Sequence, residues 1–186
     1  GINNSLGKIL ITGATGGVGS LSLMLLSKMG YDVIALTGKK DAVHLLKELG
    51  AKEIIHRDEI LNMNKPLNSP KWIGAIDTVG GDILANLMSA TDYGGIIASC
   101  GNAAGNHLPT TVLPFILRKI KLIGIDSVYA SLEQRIEAWE KLSTLITDNE
   151  LNKISTEITL SELKSSALNM MSGKTIGRII VNIHNS

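Results

Sequence analysis

The chain is short of cysteine. Cys100 is its only one, which excludes an internal disulfide and leaves no Cys-x-x-Cys pair to grip zinc. A reducing, cytoplasmic setting is the expectation. Neither sign of charge is in excess: 18 Lys and Arg stand against 17 Asp and Glu, a net charge of +1. Capture of a polyanion by bulk charge is thereby excluded, and no nucleic-acid partner is expected. No apolar run approaches the roughly 20 residues of a membrane span, and no membrane partner is expected. The opening GINNSLGK lacks the charged, apolar, small-residue order of a secretory signal. It also lacks an initiating methionine, so a processed chain, or one cut from something longer, is expected.

What is present is a core-forming composition. Of 186 residues, 44% are hydrophobic, enough for one well-buried domain or for one domain and an appendage. Short apolar runs alternate with helical patterns through the first 126 residues. Strands are expected at 8–12 (KILIT), 32–36 (DVIAL), 53–56 (EIIH), 73–77 (IGAID), 95–99 (GIIAS) and 121–126 (KLIGID). Helices are expected at 17–29, 40–49 and 82–91, with a short helix or turn at 111–119. In the first helix Val18, Leu21, Leu25 and Met29 share a face. Gly50 ends the second as its C′ residue, and Asp82 caps the third. The stretch 62–71 (NMNKPLNSPK) is a surface loop. Continuous apolar strands separated by helices indicate a parallel sheet covered on both faces. Right-handed crossovers then give the doubly wound order 3-2-1-4-5-6.

After Asp126 the pattern changes. One amphipathic helix (131–146), a strand (155–160), a helix (161–171) capped by Ser161 and a last strand (176–183) do not repeat the earlier unit. They are expected to belong to another sheet, which gives a domain of residues 1–126 followed by a segment of residues 127–186.

The stretch ILITGATGGVGS carries four glycines where the first strand meets the first helix. A phosphate-binding turn belongs there. Gly16 and Gly17 let the backbone approach a pyrophosphate with no Cβ in the way, and Gly19 lets the helix pack closely. The amides that open the helix, and its dipole, favour an anion. The spacing fits two schemes. One is the TGxxxGxG of short-chain dehydrogenases, which needs a tyrosine with a lysine four residues on. Tyr31, Tyr93 and Tyr129 are followed at that distance by Ala35, Ile97 and Glu133, so that chemistry fails. The other is GxGxxG with Ala14 in first place. Past the second strand, where an NAD-binding protein keeps an acid for the ribose hydroxyls, stand Thr37, Gly38, Lys39 and Lys40. That set suits a 2′-phosphate, and Arg57 can add a second charge. NADPH is the expected cofactor.

Taken together, the segments ILITGATGGVG, LKELGAKEII, HRDE, WIGAIDTVGG, YGGIIASCGN, LPTTVLPFILR, IGIDSV and IGRIIV resemble the medium-chain dehydrogenase/reductase superfamily. Within it they are most similar to the zinc-free quinone oxidoreductase branch and its YhdH/AcuI group of NADPH-dependent acryloyl-CoA reductases. The resemblance implies a Rossmann domain followed by a piece of a GroES-like catalytic domain, whose larger, N-terminal part would be missing. It implies that Thr15, Gly16, Gly17 and Val18 cradle the pyrophosphate, and that Thr37, Gly38 and Lys39 hold the 2′-phosphate with Arg57 beside the adenine end. Lys39 stands where the group often has arginine. Asn102, Ile116 and Ser127 would lie at carboxyl ends of strands near the nicotinamide, Asn102 replacing a more usual apolar residue. The implied reaction is hydride transfer to an activated C=C bond of an acryloyl-CoA, enone or quinone substrate, by a homodimer paired through its sixth strand. A fragment of this kind would bind NADPH and turn over little alone. The alternative is a non-enzymatic NADPH-binding sensor or scaffold.

Among the remaining side chains, Cys100 is expected in the core, and Met170 and Met171 in packing. Arg118 either meets an acidic substrate group or caps its helix, and Arg178 either faces coenzyme A or is solvated. No metal is expected, since the four histidines have no partners at ligand spacing.

Overall fold

The structure, a computed structural model, describes residues 2–3 and 5–184. Six strands, β1 (Ile9–Ile11), β2 (Val33–Thr37), β3 (Glu53–His56), β4 (Trp72–Asp77), β5 (Thr91–Ser99) and β6 (Lys121–Gly124), form one parallel sheet. Its order is β3-β2-β1-β4-β5-β6, the doubly wound order expected from the sequence. Ile11 is in register with Ala35 on one side and Ile76 on the other. Successive side chains of β1 point to opposite faces, and each face has its own core. Leu10 packs with Leu36, Trp72, Leu87 and Ile97; Ile11 packs with Leu23, Met24, Ala35 and Leu46.

The helices follow the expected pattern with informative departures. α1 (Gly17–Lys28) buries Gly19, Ser20, Leu23 and Met24, whereas Val18 and Met29 are exposed. The face expected from Val18 and Met29 is therefore turned away. The reason is local: a Cβ at Gly19 would overlap the Gly13 carbonyl oxygen and stand 2.8 Å from the Gly13 carbonyl carbon. Helix and turn touch where that side chain is missing, and the contact fixes the helix rotation. The second expected helix is split into a 3-10 turn (Lys40–Ala42) and α2 (Val43–Glu48). Gly50 follows with φ +102°, as a C′ glycine should.

α3 (Arg57–Leu61) was not expected. It is five residues long and depends on its cap: His56 Nδ1 accepts from the Asp58 amide, and the His56 amide donates to Glu59 Oε1 at 2.9 Å. α4 (Gly81–Ser89) is capped by Gly80 at φ +71°, not by Asp82, which lies in its first turn. The carboxylate that serves this end comes instead from β4: Asp77 accepts from the Gly80 amide at 3.1 Å. α5 is the short helix Leu113–Arg118.

Beyond the sheet come α6 (Leu132–Leu145), capped by Ser131, and the unexpected α7 (Asp148–Ile154). Then follow β7 (Ser155–Thr159), α8 (Leu163–Met171) and β8 (Arg178–Asn182). β7 and β8 make a separate two-stranded parallel sheet. Ser161 is not a cap; Thr159 and Glu162 form the capping box there. The second sheet lies beyond residue 126, and several contacts tie its elements to the first. Ile154 enters the core beside Leu23 and Met24. Lys28 Nζ donates to the Leu145 carbonyl at 2.6 Å and to Glu150 at 2.7 Å. The Gly177 amide donates to the Thr15 carbonyl at 2.7 Å. Among the described residues no helix is long and apolar enough to cross a membrane.

Candidate functional site: a dinucleotide cleft

At the carboxyl edge of the sheet, β1 and β4 are neighbours whose helices leave to opposite sides, the switch point where ligands bind. The turn there is held from below by a buried carboxylate. Asp77 accepts from Thr12 Oγ1 (2.8 Å), Ser99 Oγ (3.2 Å), and the amides of Val79 (3.3 Å) and Gly80 (3.1 Å). One side chain therefore ties together the carboxyl ends of β1, β4 and β5. Gly13 has φ +57°, and a Cβ on it would stand 2.5 Å from Thr78 Oγ1; only glycine fits.

From this floor the turn rises into α1. The Gly16 amide closes back on the Gly13 carbonyl at 2.8 Å. Among the described residues, the amides of Val18 and Gly19 have no backbone acceptor, so the helix opens with donors free for an anion. Thr15 is buried at this edge, and Val18 is 45% exposed in the first turn. The side chain of Arg178 lies against Gly17: a Cβ there would collide with the guanidinium. Arg178 is exposed on β8, as the solvated alternative expects, with its side chain beside the opening of α1.

A cleft of about 500 Å³ runs from the turn to the end of β2. Thr15, Thr37, Gly38, Lys39 and Arg57 line it, five of the residues singled out in the sequence. The Lys39 amide donates to Thr37 Oγ1 at 3.0 Å, and its ammonium donates to the Thr175 carbonyl. Burial lowers the Lys39 pKa, partly opposed by nearby Asp41. Arg57 lies over Gly38, where a Cβ would come within 2.8 Å of its Nε. Two cations therefore flank Gly38, and no carboxylate is among the described residues lining the cleft. Sequence reasoning missed other parts of the lining, among them Gly13, Val79 and Ile83 from the switch point and Ser172 and Gly173 from the end of α8. The first three follow from the sheet order once it is known. The last two return from the far end of the chain and carry no local motif.

A second hollow, also about 500 Å³, lies at the ends of β5 and β6, between Ser99–Asn102 and Gly124–Asp126. Asn102 lines it, as its position after β5 predicts, and Ser127 follows one residue beyond its rim. Ile116 is misplaced by the sequence reading: it is 68% exposed within α5, at no strand end, and borders neither hollow. Cys100 is exposed, not a core residue, because β5 stops at Ser99. Partial burial, then the Asp77 charge, push its thiol pKa up, which keeps it protonated and a poor nucleophile at neutral pH. Met170 and Met171 are exposed, at 57% and 86%, and lie outside both cores. Arg118 donates to the carbonyls of Ser89 (2.8 Å), Thr91 (3.1 Å) and Asn68, none of them in its own helix.

Residues 17–148 match the family model of zinc-binding dehydrogenases. Among the described residues no three His, Cys, Asp or Glu side chains converge, so no zinc site can be assembled from them. The acrylyl-CoA reductase AcuI of Ruegeria pomeroyi is 38% identical over 185 residues, which is 99% of this chain and 56% of the relative. The crystal structure of the yhdH oxidoreductase of Salmonella enterica in complex with NADP is 42% identical with TM-score 0.93, over 98% of this chain and 56% of that one. The yhfP protein of Bacillus subtilis, solved with NAD bound, is 42% identical with TM-score 0.90 over the same shares. The chain spans about half the length of these relatives. The family model spans more than half of the chain, and the chain belongs to the zinc-binding dehydrogenase family.

Proposed function

We propose that the cleft binds NADPH and that this chain is the cofactor-holding part of an oxidoreductase that reduces an activated carbon–carbon double bond, of the acryloyl-CoA, enone or quinone type. The observation that carries the cofactor choice is the pair of cations at the end of β2. Lys39 and Arg57 flank Gly38 with no carboxylate lining the cleft, an arrangement that attracts a 2′-phosphate and offers nothing to a ribose diol. Relatives are known with NADP and with NAD, so the preference here rests on those two side chains.

Roles follow from position. The amides of Val18 and Gly19, with Arg178, take the pyrophosphate; Thr15, Gly16 and Gly17 shape the turn. Thr37, Lys39 and Arg57 take the 2′-phosphate. Asn102 and Ser127, at the ends of β5 and β6, border the nicotinamide end. When bound, the cofactor supplies the hydride. The protein's part is to fix the ring over the second hollow and to shield it from water. Residues 127–186 belong in part with the catalytic domain of the whole protein, and β6, an edge strand with Ile123 and Ile125 exposed, pairs with its twofold copy. Light scattering that finds only monomer at high concentration would refute that pairing.

The cofactor reading is tested by calorimetric titration with NADPH and NADH side by side. NADPH should bind at least about tenfold tighter, the return from one charge-assisted contact. Equal affinities would overturn the 2′-phosphate assignment, and binding of neither would overturn the cofactor reading itself.

A further inference from the structure

The far wall of the cleft is made by the segment 172–178, which joins α8 to β8. Ser172 and Gly173 line the cleft opposite Gly38. Gly177 pairs with Gly16 as a parallel bridge, and its amide donates to the Thr15 carbonyl. Between these points the segment is held by the Lys39 ammonium on the Thr175 carbonyl. The Thr175 hydroxyl contributes nothing to that hold: among the described residues it is the buried side-chain polar atom with no hydrogen-bond partner. The segment is therefore fastened to the nucleotide unit by main-chain groups, and one of its two fastenings is the very cation that stands ready for the 2′-phosphate.

An ammonium has three hydrogens and no acceptor capacity. One hydrogen goes to the Thr175 carbonyl, which leaves two for the cleft that Lys39 lines. We infer that Lys39 is a bridge: it holds the 2′-phosphate and the Thr175 carbonyl together, so that segment 172–178 is a specificity-determining wall tightened by NADPH and not by NADH. An anion beside the ammonium favours its charged form and restrains the lysine stem, and both effects oppose opening of the segment. NADH presents a neutral hydroxyl at that point and leaves the contact as it is. The inference rests on the NADPH reading and adds to it a consequence for the second sheet, because β8 begins at Arg178.

Hydrogen–deuterium exchange of the 186-residue chain, free and at matched occupancy by NADPH or NADH, tests it. The amides of 173–178 should exchange roughly fivefold more slowly with NADPH than with NADH, the scale of one added ion contact. Lys39→Met should abolish that difference while exchange elsewhere in the sheet stays as it was. Tighter NADPH binding with equal protection by the two cofactors would overturn the bridge and leave the cofactor reading standing. Faster exchange with NADPH would overturn it as well, since the phosphate would then be drawing Lys39 off the carbonyl. Failure of NADPH to bind would remove both.

Discussion

The six-stranded unit and the elements that follow it are built on different terms. In the first, β1, β2 and β4 are buried almost throughout, and the sheet separates two closed cores. In the second, α6 and α8 bury no residue at all, and Trp139, Leu132 and Met171 are 70%, 71% and 86% exposed. A two-stranded sheet is marginal by itself in water; Ile154, Lys28, Lys39 and Gly177 are among the residues that hold this one in place. Amphipathic patterning thus states that a face is apolar without saying that the face is covered. The first unit carries both halves of each contact within about 125 residues, and the second does not.

The sharpest break of that contrast is a pair of truncations. Leu87→Ala, at a fully buried position, should cost about 3 kcal/mol in urea unfolding. Trp139→Ala, although it removes a larger side chain, should change stability by less than about 0.5 kcal/mol. If the tryptophan costs as much as the leucine, the two regions are not different in kind.

A smaller separation is expected between two cations. Arg118 satisfies three backbone carbonyls, so Arg118→Met should destabilise by about 2 kcal/mol and leave NADPH affinity unchanged. Lys39→Met should weigh the other way, with NADPH affinity down about tenfold and a smaller loss of stability, about 1 kcal/mol, for its single carbonyl contact. A calorimetric titration and a urea melt on each variant check this.

The smallest effect lies at the seam. The Lys28 ammonium, then the Thr147 amide and hydroxyl, hold the Glu150 pKa down at about 2, from 4.5. A depressed carboxylate stabilises the fold above its unfolded pKa and ceases to as pH falls through its folded one. The contribution of this pair is therefore complete above about 4.5 and fades towards about 2. Glu150→Gln should melt below the parent at pH 7, with the gap closing as pH is lowered through that window. A gap that does not change with pH would place the effect in packing instead.

Legibility in the sequence follows the same division. The sheet order was readable because short apolar runs alternate with helical patterns, and the span of β3 because Glu53 and His56 bound its two isoleucines. The turn and the Thr37–Lys39 end of β2 were readable because the residues that make them are neighbours in the chain. α3 and α7 were not, since five and seven residues are too few for a helical period and their caps, His56 and Thr147, are also ordinary loop residues. Cys100 misled because it follows directly on β5, whose end at Ser99 was read correctly, and the first residue past that strand is exposed. The far wall of the cleft was invisible for a simpler reason: Lys39 and Thr175 are 136 residues apart, and no local pattern announces such a meeting.

That separation also sets an order in time. Synthesis proceeds from the amino end, so the glycine turn leaves the ribosome long before the segment that faces it. Contacts of such high sequence separation form late, because the loop they close is costly. The nascent chain thus passes through an interval in which the sheet can be complete and the cleft still lacks a side. Capture of a whole dinucleotide has to wait for the return of Gly177 to Thr15, which makes that one short hydrogen bond the step that converts a folded sheet into a competent receptor.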